Sequence, residues 1–384
     1  MDPTRGALLR QPTQACGKHM EEPLRILLTH PSRRLRTALV AGTALALVLA
    51  GCSSTDSDES GSSDGSSSLS GQIVWADFGG PTNKARYAAY FDDFTKDTGV
   101  KVISEVEVDA IVNTMLTGGK GDYDAIHVGL DVVYQNQANI AKLDDSVGRD
   151  TNLPENIRDY AFGTFLVGHV QAYLTETFPN GGPKTWADFW DVEKFPGKRG
   201  WMGSPGSYDS GCEMAELASG IAPDKLYPLD LDLCTKKLDE LRPHMVFYTS
   251  YPQIQQLLTS KTAAVVAGPS GQAVALKNQG LDVTISFDEA IVAPNVIAIP
   301  ASAPNMTNIQ ALAKVFNEPE RQAAFAKLTG YGPGNPEAFN FMDEETKAKI
   351  VNAPGNSSVV FQDSEARSKQ QDALLAWYTK WLAG

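Results

Sequence analysis

Two adjoining segments near the start of the chain most constrain what it can fold into, because neither can join a packed core. Residues 37–50 form an apolar run behind the basic cluster at 33–36, and Leu-Ala-Gly-Cys ends the run at 49–52. A basic region, an apolar stretch and small residues before a cut are typical of a secretory signal. The run is short for a permanent membrane span. Residues 53–70 are almost wholly Ser, Asp, Glu and Gly, which predicts a flexible segment that does not fold.

The ending Leu-Ala-Gly-Cys resembles the lipobox of bacterial lipoproteins, in which the cysteine is lipidated and the chain is cut just before it. This resemblance implies a signal peptide at residues 1–51, a lipid on Cys52 and a flexible tether over residues 52–71. The implied location is extracytoplasmic, on the outer face of the cytoplasmic membrane. An apolar run that ends in cysteine by chance is the alternative. The arginine pair at 33–34 partly resembles a twin-arginine signal, so Sec and twin-arginine export both stay open, as does a start at Met20.

Charge and length set limits on the folded part. The 384-residue chain has a net charge of −13, and seven Lys and Arg against three Asp and Glu in residues 1–51 leave −17 for the remainder. A strongly acidic surface argues against a nucleic acid partner and favours solubility. The chain beyond the tether is long enough for two lobes of ordinary size, and we expect a monomer.

The four cysteines have different expected fates. Cys16 leaves with the signal and Cys52 carries the lipid, whereas Cys212 and Cys234 remain in a compartment that permits disulfides. Two cysteines in an exported domain usually pair, so we predict a Cys212–Cys234 disulfide. Two buried free thiols are the alternative.

Short apolar stretches that alternate with helical patterns predict an α/β fold with a mostly parallel sheet. Strands are expected at 73–75, 100–108, 125–128, 263–267 and 281–285, and helices at 87–94, 185–190, 223–241, 309–316, 319–330 and 374–382. No internal repeat and no second polar linker divides the chain, so the two α/β units are expected to be interwoven. We predict one lobe from residues 72–170 and 288–330, and a second from residues 171–287 and 331–384.

Several short stretches, taken in order, resemble bacterial solute-binding proteins of ABC importers, and more narrowly the spermidine/putrescine-binding family. They are FDDFTKDTGVKV (91–102), YDA (123–125), WADFW (186–190), PGK (196–198), LYPLD (226–230), AIP (298–300) and YGP (331–333). The resemblance runs from residue 72 to residue 382. It implies a two-lobed, type II periplasmic-binding-protein-like fold, with a ligand cleft between lobes that close on the solute. The implied partners are a small-molecule solute and the ABC permease subunits in the membrane.

A polyamine pocket needs aromatic faces for the methylene chain and carboxylates for the ammonium groups. The resemblance to this family implies as candidate ligand-binding residues Asp77, Phe78, Asp131, Tyr208, Asp209, Glu213, Ser270, Asn295 and Tyr331. Each also has a structural interpretation, as a core aromatic, a solvated loop acid or an acid favoured at a helix start.

The chain departs from the family pattern at three of the expected ligand positions. Ala267 and Ala293 stand where the family has tryptophans, and Asn295 stands where it has an aspartate. The pocket is therefore expected to be roomier and less anionic than a polyamine site, and to bind spermidine and putrescine weakly. A bulkier cation, or an amino-containing solute with its own carboxylate, would suit it as well. Tyr248 and Tyr251 could line the cleft, but we expect them to cover a lobe surface.

The sequence offers little support for catalysis or for a metal site. The chain beyond the tether has three histidines, His127, His169 and His244, and none has the spacing of a metal site. It contains no G-x-S-x-G elbow and no Gly-Lys-Ser/Thr phosphate loop. We expect no enzyme activity, no catalytic residue, no metal and no cofactor. A solute-sensing or adhesive lipoprotein without a permease is one alternative function, and a hydrolase is another.

Overall fold

The computed structural model describes residues 69–204 and 210–384, and only the backbone of Gly80 and Pro81. The predicted signal, Cys52, most of the tether, Tyr208 and Asp209 lie outside the described residues. In the part that is described, no helix has the length and apolar character needed to cross a membrane.

The described strands form one mixed sheet in the order β2-β1-β3-β8-β4-β7-β5-β6, with β10 beside β8 and β9 beside β4. The strands are β1 Gln72–Asp77, β2 Lys101–Val106, β3 Ala125–Gly129, β4 Phe162–Leu174, β5 Arg199–Met202, β6 Met245–Tyr248, β7 Val265–Pro269, β8 Val283–Ala298, β9 Gly332–Pro333 and β10 Val360–Phe361. The pairs β1–β2, β1–β3, β5–β6, β5–β7 and β8–β10 are parallel. The pairs β3–β8, β4–β7, β4–β8 and β4–β9 are antiparallel, so the expectation of a mostly parallel sheet is wrong.

Helices cover the sheet on both sides of its centre. They are α1 Gly80–Arg86, α2 Asp92–Thr98, α3 Asp109–Leu116, α4 Leu130–Asn136, α5 Trp186–Trp190, α6 Gly211–Ala218, α7 Leu231–Leu241, α8 Pro252–Thr259, α9 Ser270–Asn278, α10 Met306–Phe316, α11 Pro319–Thr329, α12 Glu344–Lys347, α13 Ser364–Ser368 and α14 Gln371–Ala383. A π-helical turn, Tyr87–Phe91, joins α1 to α2.

The long strands β4 and β8 join two half-sheets. They pair antiparallel from Phe162 with Ile297 to Leu174 with Val283, with irregularities between Phe162 and Phe165 and between His169 and Gln171. At one end β8 pairs with β3, and at the other end β4 pairs with β7. We call β1, β2 and β3 the first half-sheet, and β5, β6 and β7 the second.

Each half-sheet has its own aromatic core. In the first, Trp75 stacks on Phe316 with ring centroids 5.1 Å apart, and Tyr90 lies on the same ring at 4.0 Å. In the second, Phe189 contacts both Trp186 and Trp201, with centroids 5.7 and 6.0 Å apart. Burial of such large rings from water is the main stabilising contribution on each side.

The segment after β9 packs against the first half-sheet's helix α11. Ala338, Phe339, Met342 and Ile350 form a small buried cluster with Ala323 and Ala326 of that helix. The predicted lobe boundaries stay a prediction.

Several predicted helix ends and the disulfide are confirmed. The helix at 185–190 begins with a capping box, in which Thr185 and Asp188 exchange side-chain and backbone hydrogen bonds. Helix α11 has proline in its first turn and ends at Gly330, whose φ of 74° is left-handed. Cys212 and Cys234 form a disulfide that joins α6 to α7, with Cα atoms 5.2 Å apart.

The helix predicted at 223–241 and the strand predicted at 281–285 differ most from the structure. The helix expected at 223–241 begins at Leu231, because the Asp230 side chain accepts the N–H groups of Asp232 and Leu233 and caps the helix there. The strand expected at 281–285 continues to Ala298. The polar residues Asp288 and Glu289 interrupt its apolar pattern, and they lie between two stretches that pair with β4, residues 283–286 and 291–297.

Candidate functional site

A cleft of about 350 Å³ lies where the two half-sheets meet. Residues at the end of β3 and in β4 and β8 line it, together with residues of α9, α13 and α14. The lining residues are Phe78, Gly79, Thr82, His127, Gly129, Asp131, Phe165, Val167, His169, Tyr251, Pro252, Pro269, Gln272, Ala293, Pro294, Asn295, Tyr331, Gln362, Arg367, Gln371 and Leu375. A mostly apolar cleft with a few convergent polar groups is typical of a small-molecule site.

Aromatic side chains form one wall of the cleft. Phe78 is 55% exposed and its ring meets that of His127 edge-on, with centroids 4.8 Å apart. Phe165 and Tyr331 lie together with centroids 5.6 Å apart. Such faces can pack against a methylene chain and attract an ammonium group.

A buried chain of polar groups leads from the core of the first half-sheet to the cleft. Arg86 donates from Nη1 to Asp77 Oδ2 at 2.8 Å, and its Nη2 lies 3.2 Å from His127 Nδ1. His127 Nε2 lies 3.1 Å from Asn295 Oδ1. The charges of Asp77 and Arg86 cancel, so this series of polar side chains ends at the cleft in a neutral group, the Asn295 amide.

The tautomer of His127 follows from its partners. A guanidinium can only donate, so His127 Nδ1 accepts and Nε2–H donates to Asn295. Burial lowers the pKa of His127 well below its usual value, and the positive charge of Arg86 lowers that pKa further. His127 is therefore neutral at neutral pH and donates to Asn295 Oδ1. The Asn295 amide nitrogen donates one N–H to the Ala293 carbonyl oxygen at 3.2 Å and has a second N–H to offer as a donor on this side.

A second buried network crosses the cleft from one half-sheet to the other. Arg367 of α13 donates from Nε to Asp131 Oδ2 at 3.2 Å, and its Nη1 contacts Glu213 Oε1 closely. Asp131 lies in the first turn of α4 and Glu213 in the first turn of α6. Glu213 Oε1 also accepts from Tyr227 Oη at 3.0 Å and from Gln362 Nε2 at 3.1 Å.

Burial and the charge of Arg367 shift the pKa values of two groups in and beside this network. Burial raises the pKa of Asp131, while the Arg367 guanidinium and the Val132 N–H act to lower it. Burial, followed by Arg367, lowers the pKa of His169 to about 4, so that ring is neutral at neutral pH. Among the described residues, Asp131 and Glu213 therefore share one guanidinium, that of Arg367.

The structure brings four of the predicted residues to the cleft: Phe78, Asp131, Asn295 and Tyr331. Three others are buried behind its lining. Asp77 pairs with Arg86, Glu213 pairs with Arg367, and the Ser270 hydroxyl lies 3.4 Å from the Gly330 carbonyl oxygen. The ligand roles of all the predicted residues, Tyr208 and Asp209 included, stay predictions.

Sequence reasoning missed several residues that line the cleft. Tyr251 lies in its wall instead of covering a lobe surface. His127 could have been found, because a polar residue inside the apolar strand at 125–128 must have a buried partner. Arg367 had no such signal, since its neighbours in sequence resemble an ordinary exposed helix.

One group in the described residues has metal-ligand spacing, and it does not fit a metal. Cys212, Glu216 and Cys234 place their ligand atoms within 4.8 Å of one another. Both sulfurs belong to the disulfide, so neither is available as a thiolate ligand.

The two half-sheets, the long strands that join them and the cleft at their junction define a periplasmic-binding-protein-like α/β fold. The chain belongs to the bacterial extracellular solute-binding protein family, whose model matches residues 89–354. Family membership implies an extracytoplasmic location.

Individual relatives agree with this assignment. The gamma-aminobutyric acid-binding protein of Pseudomonas aeruginosa is 26% identical over 290 residues, which cover 73% of this chain and 81% of the relative. The crystal structure of an ABC transporter substrate-binding protein from Bradyrhizobium japonicum has a TM-score of 0.74 and 29% identity, covering 81% of this chain and 99% of that one. The structure of the Atu4243-GABA receptor has a TM-score of 0.73 and 28% sequence identity, and the match covers 81% of this chain and 97% of that one.

Proposed function

We propose that this protein is the substrate-binding component of an ABC import system, and that it captures a small amino-containing solute. The observation that carries the proposal is the cleft itself. It combines a carboxylate, Asp131, with aromatic faces and with the amide of Asn295, around a volume of about 350 Å³. A solute with an ammonium group, a short methylene chain and a polar end would satisfy all three features.

An ω-amino acid fits this cleft better than a polyamine. Ala293 lines the cleft where a tryptophan was expected, and Asn295 offers an amide where a carboxylate was expected. An amide nitrogen can donate to a solute carboxylate, whereas an ammonium group placed there would lack a charged partner. The GABA-binding relatives support the same class of solute.

We further propose that capture involves closure of two lobes that meet at β4 and β8, and that the lipidated Cys52 holds the protein at the membrane. The lipobox and the polar tether support the anchor. Replacing Cys52 with serine should release the protein from the membrane fraction and remove lipid labelling. If the variant stayed in the membrane fraction and still carried the lipid label, the proposal that Cys52 is the lipidated residue would be wrong.

Binding is tested by thermal shift and calorimetry with 4-aminobutyrate, 5-aminopentanoate, putrescine, spermidine and butyrate. We expect the amino acids to raise the melting temperature and to bind at least tenfold more tightly than the polyamines. Butyrate, which lacks the ammonium group, should bind weakly.

Asp131→Asn is the matched variant, because the amide oxygen can still accept the Val132 N–H. It should weaken binding by roughly 2 kcal/mol or more, over tenfold in Kd. Asp145→Asn, at an exposed position away from the cleft, is the control and should bind like the wild type. If no amine shifts the melting temperature, or butyrate binds as well as 4-aminobutyrate, the proposal is wrong.

A further inference from the structure

We propose that the protein has a second small-molecule site, on the face of β4 opposite the cleft, and that this site takes a small organic cation with a hydroxyl group at its other end. We call this cavity the rear pocket. Residues of α4 and β4 and residues in the segments 152–154 and 361–365 line it, and its volume is about 340 Å³. The proposal does not depend on which solute the cleft binds.

The rear pocket is distinct from the cleft. Thr164 and Leu166 line the rear pocket, whereas Phe165, which lies between them in β4, lines the cleft. Successive side chains of a strand point to opposite faces of the sheet, so the two cavities lie on opposite sides of β4. Pro294 and Gln362 border both cavities and form the wall between them.

Two buried hydroxyl groups of the rear pocket need a hydrogen-bond partner. Thr164 is 3% exposed and Ser364 is 6% exposed, and neither hydroxyl oxygen has a partner among the described residues. A buried polar group without a partner is costly, and folded proteins rarely keep one without a reason. Because a hydroxyl both donates and accepts, either side chain can bind a ligand hydroxyl.

The mouth of the rear pocket is aromatic and acidic. Phe361 is 57% exposed, and Asp363 and Glu365 are exposed close to it in sequence. Burial raises the pKa of Tyr134, and the negative charges of Glu365 and Asp363 raise it further, so both carboxylates lie near the Tyr134 ring. Aromatic faces and carboxylates together attract an organic cation.

The described partners of the two carboxylates leave room for a cation. Asp363 Oδ1 accepts the N–H of Ala366, which is a neutral donor. Glu365 Oε1 lies 3.1 Å from Lys369 Nζ, and both side chains of that pair are at least half exposed, so the pair is weak. The described residues that line the rear pocket include neither lysine nor arginine.

The wall between the mouth and the two hydroxyl groups is apolar, because buried leucines at 130, 153 and 166 form it. A matching ligand therefore has a cationic head, a short carbon chain and a hydroxyl group. Choline has all three and is the probe. Two further compounds separate these features: 3,3-dimethylbutan-1-ol has the shape of choline without its charge, and tetramethylammonium has the charged head without the hydroxyl.

Calorimetry and thermal shift on the exported protein test binding. Choline should bind saturably and raise the melting temperature, with an affinity roughly tenfold or more above that of 3,3-dimethylbutan-1-ol. Tetramethylammonium should bind with an intermediate affinity. Absence of choline binding, or equal affinity for the uncharged compound, would overturn the proposal.

Two matched variants locate the bound choline. Phe361→Ala and Phe78→Ala each remove one half-exposed phenylalanine, the first from the rear pocket and the second from the cleft. Phe361→Ala should weaken choline binding about fivefold or more. Phe341→Ala, which removes a ring that is 56% exposed and lines neither cavity, is the control. Unchanged choline affinity in Phe361→Ala, or a loss in Phe78→Ala alone, would show that choline does not bind in the rear pocket.

Thr164→Val tests the hydroxyl, because valine has nearly the same shape as threonine. Without ligand, the variant should be at least as stable as the wild type in urea, since it removes a buried hydroxyl that has no described partner. Its choline affinity should fall about threefold or more, while its tetramethylammonium affinity stays unchanged. Equal losses for the two cations would contradict the role of the hydroxyl. Ser364→Ala gives the same comparison if Thr164→Val does not fold.

Discussion

The buried ion pair between Asp77 and Arg86 gives a stability prediction that also tests a predicted ligand residue. Asp77 is fully buried and Arg86 is 1% exposed, with Nη1 and Oδ2 2.8 Å apart. Asp77→Asn keeps the shape of the side chain but leaves the guanidinium without a carboxylate. Removing one partner of a buried pair costs about 3–5 kcal/mol, because the other charge stays buried and uncompensated.

The remaining contacts of Arg86 do not replace the carboxylate. Its guanidinium lies 5.6–5.7 Å from the ring centroids of Trp75, Phe165 and Phe325. Cation–π contacts contribute about 0.5–2 kcal/mol each, and they are present before and after the change. Burial already lowers the pKa of Arg86, and loss of Asp77 removes the main group that raises it.

Equilibrium unfolding in urea measures the effect in a double-mutant cycle. We expect Asp77→Asn to lose about 3–5 kcal/mol in free energy of unfolding, and Asp77→Asn with Arg86→Met to lose less than the sum of the single changes. A loss below about 1 kcal/mol in Asp77→Asn, or strict additivity, would refute the reasoning. Weaker solute binding with unchanged stability would instead favour Asp77 as a direct ligand contact.

Further predictions concern the disulfide and two titratable groups. Replacing both Cys212 and Cys234 with alanine should lower the free energy of unfolding by about 3 kcal/mol, and reductant should no longer affect stability in that variant; equal stability of the two proteins would contradict this. The pKa of Asp131 is raised above 3.8, so affinity for an amine should fall as the pH drops from neutral through that raised pKa, and calorimetry should show this slope flattened in Asp131→Asn. His169 has a pKa lowered from 6.5 to about 4, so its contribution to stability is present above pH 6.5 and is lost as the pH falls towards 4, by about 1.4 kcal/mol per pH unit. His169→Gln should reduce that slope in urea unfolding, and an identical slope would contradict the assignment.

The parts of the fold that were predicted correctly depend on local signals. The helices at 185–190 and 319–330 depend on a few neighbouring residues, and the Cys212–Cys234 pair follows from the compartment in which the chain is expected to fold. The α/β class follows from alternating short strands and helices. These features need no knowledge of distant contacts.

The parts that were missed depend on contacts between distant segments. The strand β8 has a polar interruption at Asp288 and Glu289, and pairing with distant β4 on both sides of this interruption forms the rest of the strand. Arg367 meets Asp131 across 236 residues and Glu213 across 154 residues, so no local pattern indicates the network. Resemblance to a family supplied candidate acids, but it did not indicate that a cation of the chain itself pairs with them.

The long strands β4 and β8 have a consequence for how the protein loses its structure. Because each runs through both half-sheets, neither half possesses a complete set of strands of its own. Unfolding of one half-sheet would break the hydrogen bonds that β4 and β8 make with the other half-sheet. We therefore expect both half-sheets to unfold together on heating, in a single cooperative transition. A fragment that ends before β8 would lack the central strand of both halves, and it should behave as an unfolded chain instead of an autonomous lobe.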